Sequence, residues 1–161
     1  MIAEEFWREA KKAAPNARCI QKCGNHDDRP KKRLAEQLPE LLDWVKPGMD
    51  AIFKFDGVET QNDAREEFEH NGVLYHHGHS TFGKHYLYNN KCTVNGHLHR
   101  GAVEYKQTAE GMIWELNAGC GIDANAPVFT YHSQKRMHGI TLGLGYVDKY
   151  GPRFMPYEER R

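Results

Sequence analysis

Residues 73–100, VLYHHGHSTFGKHYLYNNKCTVNGHLHR, hold six of the chain's ten histidines. Solubility does not require imidazoles at that density, and a core does not tolerate them without partners. Each histidine cluster follows a short run of strand-forming residues: VLY leads into His76-His77-Gly78-His79, and KCTV leads into Gly96-His97-Leu98-His99. A third polar segment, GNHDD at 24–28, follows the strand-like ARCIQKC. In an open α/β sheet the carboxyl ends of parallel strands line one crevice, so loops distant in sequence can meet there. The sequence therefore predicts an α/β fold in which Asn25, His77, His97 and His99 converge. One amide oxygen and three imidazoles suit Mn, Fe, Zn or Ni better than calcium, and a donor set without cysteine disfavours a thiolate zinc site.

Outward from these loops the chain alternates helix and strand. AEEFWREAKKAAP sets Phe6, Ala10 and Ala13 at helical spacing ahead of Pro15. KKRLAEQLPELLDWV carries Leu34, Leu38, Leu41, Leu42 and Val45 as one stripe, which Pro39 bends or splits and KPGMD ends. AIFKF alternates as a strand does, and QNDAREEFEHNG reads as a polar helix or loop closed by Gly72. EYKQT, MIWELNAG and HGITLGLGYVD have the composition of antiparallel strands, and the tail GPRFMPYEERR reads as irregular. Trp7, Trp44 and Trp114 are expected in the core. His70, His85, His132 and His138 read as structural or surface residues, while His76 and His79 flank the expected ligand His77.

The 161 residues, 39% of them hydrophobic, suit a single domain over residues 1–161. Lys plus Arg and Asp plus Glu balance at 22 each, which excludes a chain-wide basic field and leaves any anionic substrate to be held locally. The cluster Arg29, Lys31, Lys32 and Arg33 suits a phosphate or nucleic-acid contact or, the commoner case, the first turns of an exposed helix. No apolar run approaches the roughly 20 residues that span a bilayer, so the expectation is a cytoplasmic protein with no membrane partner. Cys19, Cys23, Cys92 and Cys120 are too few and too scattered for a disulfide scaffold and are expected to be reduced.

GNHD (24–27), HG (77–78) and GHLH (96–99), followed by LNAG (116–119), resemble in this order the last three blocks and the following turn of the calcineurin-like metallophosphoesterases. The likeness runs directly over roughly residues 1–120. It implies a layered α/β sandwich with mixed sheets, two divalent metals at the strand ends, and hydrolysis of a phosphomonoester or phosphodiester by metal-activated water, with nucleic acid among the diester substrates. It further implies that Asn25, His77 and His97 ligate the second metal and His99 the first. His26 would face the substrate as the catalytic histidine, and Asp27 would orient the loop or His26. A divalent ion lowers the pKa of bound water towards about 7 and neutralises phosphate oxygens.

The first two blocks of that family, Asp-x-His and Gly-Asp-x-x-Asp, occur nowhere in the chain. They carry the carboxylate that bridges the two metals. The expectation is thus a sandwich lacking its first two strands, an N-terminally incomplete domain whose uncharged ligand set holds one dication more readily than two. Reduced activity and self-association through edges left by the missing strands are expected with it. The alternative is a non-catalytic metal-binding remnant, a scaffolding module or a fragment needing a complementing chain.

Overall fold

The computed structural model describes residues 2–63, 65–78, 85–121 and 141–157. The chain is mixed α/β and forms two compact units, residues 1–66 and 67–161. No helix among the described residues is long and apolar enough to cross a membrane.

The first unit contains α1 (Ile2–Ala13), β1 (Ile20–Lys22), α2 (Asn25–Gln37), α3 (Pro39–Ala51) and β2 (Glu59–Gln61). Helix α1 opens with Glu4 and Glu5 and closes with Lys11 and Lys12, the charge order that its dipole favours. The Trp7 indole donates to Gln21 Oε1 at 2.8 Å, joining the helix to β1, and β1 runs parallel to β2. Pro39 divides the long stripe as expected. Proline disfavours the α region at the preceding residue, and Leu38 sits at φ −144 and ψ 60, so one helix ends there and the next starts with proline in its first turn.

Three expectations fail in this unit. KPGMD does not end α3, which continues through Pro47 and Gly48 to Ala51; Asp50 in its last turn takes Lys46 at 2.8 Å and also pairs with Lys31 of α2. AIFKF is not a strand, because Ala51 still belongs to α3 and a turn follows, with Lys54 N bonded to Ala51 O at 3.2 Å. Trp44 is not core: it is 83% exposed, and no residue of α3 is buried. The stripe has the period of a buried face without the burial.

The second unit contains β3 (Phe68–His70), β4 (Val73–Tyr75), α4 (His85–Asn89), β5 (Cys92–Asn95), β6 (Ala102–Thr108), β7 (Gly111–Asn117), β8 (Gly143–Asp148) and β9 (Gly151–Pro156). Its main sheet has the order β3-β4-β5-β7-β6. The central β4, β5 and β7 are parallel, and the flanking β3 and β6 are antiparallel to their neighbours. Strand β3 replaces the polar helix or loop expected before Gly72. Asn71 and Gly72, at φ 51 and 75, form the two-residue turn of a β3–β4 hairpin, a signal that Asn-Gly carries in sequence. The tail is not irregular: β9 pairs with β8 from Gly143↔Pro156 to Asp148↔Gly151. Residues 138–140 of HGITLGLGYVD and 158–161 of the tail lie outside the described residues.

The pleat divides the main sheet into two faces. Leu74, Thr93 and Glu115 stand in register on the face that meets α4, with Asn95 and Asn117 beyond them. Leu116 points the other way, fully buried, with Gly145 of β8 against it. The Phe154 ring of β9 lies over Gly101, Gly119 and Gly143, in space where a side chain at any of the three would collide with it. All four cysteines are free, with Cys23 and Cys120 buried.

Candidate functional site

Beyond the carboxyl ends of β4, β5 and β7 the sheet ladder continues into the loops. His76 N donates to Val94 O at 3.1 Å, Gly96 N to His77 O at 3.2 Å, and Ala118 N to Asn95 O at 2.8 Å. Both histidine loops are thereby held at fixed register to one another. Gly78 explains why a glycine follows His77. Its φ is +89, and a Cβ there would lie 3.1 Å from His97 Cβ, 3.4 Å from Asn95 Cβ and 3.5 Å from His85 Cε1. Three side chains from other segments close over the place a methyl group would take.

His77 and His97 meet in this arrangement. His77 Nε2 lies 3.2 Å from His97 Nδ1, with the rings at 81° to one another and both half-buried. His99 follows on the same loop with φ 54, left-handed backbone that costs an L-residue of order 1 kcal/mol, and its carbonyl accepts Thr141 N at 2.8 Å. His79, expected to flank the ligand, lies outside the described residues, as do His132 and His138.

The GNHDD segment belongs to the first unit and is a helix start, not a loop. Gly24 is the extended N-cap of α2, which Asn25 and His26 open; the side chains of these two lie outside what the structure describes. Asp27 holds this turn, its Oδ2 accepting Gly24 N at 2.7 Å, half of a capping box that glycine has no side chain to complete. Burial, with Asp27 beside it, pushes the Cys23 thiol up, so it is no thiolate at neutral pH. Of the basic cluster, Lys31 pairs with Asp50 and Lys32 with Asp28 at 3.1 Å.

Sequence reading missed the centre of the network. Among the described residues Glu115, with no exposed surface, accepts His85 N at 3.1 Å, Tyr86 N at 3.4 Å and Asn95 Nδ2 at 2.6 Å, and lies 3.1 Å from His85 Nδ1. His85, read as structural or surface, is 4% exposed, with its ring 4.6 Å from that of His76. Burial, with Glu104 and Glu115 nearby, pushes the Tyr86 phenol up. The available signal was a glutamate between Trp114 and Leu116 in a strand otherwise fit for the core.

Among the described residues no three His, Cys, Asp or Glu side chains gather as a ready metal-holding group. The two imidazole nitrogens nevertheless stand at the roughly 3 to 3.4 Å that co-ligands at about 2.0–2.1 Å from one ion subtend, so the pair fits one edge of a coordination shell. Comparison of the chain with protein families, curated proteins and solved structures finds no match.

Proposed function

We propose that the second unit binds a divalent transition metal (Mn, Fe, Zn or Ni) through His77 and His97, with His99 the next donor on the same loop, and that the protein is a metal-dependent phosphoesterase of the calcineurin-like kind. The observation that carries this reading is the 3.2 Å approach of His77 Nε2 to His97 Nδ1 at the carboxyl ends of adjacent parallel strands. The order of the GNHD, HG and GHLH segments supports it. When bound, such a metal supplies Lewis acidity towards a phosphate oxygen and lowers the pKa of water. The chain's own part is to bring two nitrogens to one point on loops locked by main-chain hydrogen bonds, so that little order is lost on binding. The GNHD segment is described within the first unit, and none of its side chains is given a part in binding this metal.

Metal binding without turnover is the second reading. It is favoured by the uncharged character of the histidine donors and by the lack of any Asp-x-His or Gly-Asp-x-x-Asp in the chain, since neutral ligands compensate a second dication poorly. Hydrolysis of p-nitrophenyl phosphate and bis-p-nitrophenyl phosphate with added Mn²⁺ separates the two. Turnover abolished by His97→Ala supports the phosphoesterase. Mn²⁺ binding that His97→Ala abolishes, with no turnover of either ester, leaves the second reading, and no Mn²⁺ binding overturns both.

A further inference from the structure

Glu115 is a buried carboxylate whose hydrogen bonds go to both segments that flank the histidine loops. On one side it takes His85, whose ring lies against His76 and over Gly78, the neighbours of His77. On the other it takes Asn95, the last residue of β5, which stands two residues before His97 and packs with it over Gly78. Its second oxygen receives the first two amides of α4. An ionised carboxylate only accepts, so the bond to His85 Nδ1 requires the proton on that nitrogen and fixes the imidazole tautomer. Burying a carboxylate this fully is costly before its partners are counted, and apolar residues in place of the whole polar set would serve the sheet's stability as well.

We infer that Glu115 is a positioning residue: it holds the His76–Gly78 loop, through His85, and the Gly96–His99 loop, through Asn95, at the spacing at which His77 and His97 meet. As far as metal is concerned, this rests on the reading proposed above. As a statement about the two histidines, it stands by itself. Glutamine at 115 keeps the volume but puts an N–H₂ where His85 Nδ1 and Asn95 Nδ2 now donate, so both must reorient.

The test is ¹⁵N-histidine NMR on the metal-free full chain, with Mn²⁺ titration followed by the loss of the free-ion electron paramagnetic resonance signal. The native protein is expected to show His85 protonated at Nδ1. In Glu115→Gln, His85 moves to the Nε2–H tautomer, the His77 and His97 resonances shift or broaden, and Mn²⁺ binds 10- to 100-fold more weakly, as loss of an outer-shell partner does. Should Glu115→Gln fail to fold, Asn95→Ser decides, because it cuts only the link to β5: His97 should move while His85 keeps its tautomer. Unchanged His77 and His97 resonances in the variants that fold overturn the inference. If the native chain binds no Mn²⁺, the metal reading falls, and the resonances still decide whether Glu115 positions the pair.

Discussion

On the face turned to α4, the main sheet buries Thr93, Asn95, Glu115 and Asn117, each at most 1% exposed, whereas the face turned to the β8–β9 hairpin buries Leu116 just as completely. Burying an apolar side chain stabilises by roughly 25 cal/mol per Å². Burying an amide or a carboxylate gains little even when every hydrogen bond is made, and costs heavily when one is lost. The hairpin face therefore accounts for why the sheet folds, and the α4 face accounts for why its loops have one geometry. Polar residues at full burial are spent on specificity, at the strand ends where the histidines meet.

The largest expected effect comes from breaking the polar face. Glu115→Leu leaves the donors of His85, Tyr86 and Asn95 facing a methyl group and should lower unfolding free energy in urea by about 3 to 5 kcal/mol, with Mn²⁺ affinity falling alongside. Leu116→Ala, one residue away, should cost about 2 to 5 kcal/mol through the cavity it opens. Its Mn²⁺ affinity should stay native; an equal fall in both variants would erase the functional distinction between the faces.

Thr93→Val sharpens the comparison on a smaller scale. Thr93 Oγ1 donates to Lys91 O at 3.0 Å, and its loss should cost about 1 kcal/mol without moving the histidine resonances. In the first unit, hydrogen bonds from Lys31 and then Lys46 hold the Asp50 carboxyl below the usual carboxylate range. A depressed folded value means that this stabilisation is complete above about pH 4, the unfolded range, and disappears as pH falls through the folded value. Asp50→Asn should remove about 1 kcal/mol at neutral pH together with that acid dependence, read by thermal melts across the pH range. The smallest effect is Trp44→Ser, at 83% exposure, which should change stability by less than about 0.5 kcal/mol.

Local chemistry made some elements legible in the sequence. Pro39 and its effect on Leu38 separated α2 from α3, and glycine after each strand marked the turns that bring His77 and His97 together. Periodicity misled where it was not matched by burial, as at Leu41, Trp44 and Val45, all exposed on α3. The short strands β3 and β9 owe their existence to pairing with β4 and β8, a non-local cause that propensity does not register. Asn71-Gly72 would have revealed the first of them. Sequence alone gives Glu115 no role and His85 only a structural or surface one, because a lone glutamate and a lone histidine show no partnership until the fold sets one against the other.

Phe154 adds a consequence for the order of events during synthesis. Its ring fills a slot bordered by Gly101, Gly119 and Gly143, so that slot stays open until residues 151–156 have left the ribosome. Nascent chains halted before that aromatic plug emerges should present a sticky, half-dressed sheet to chaperones.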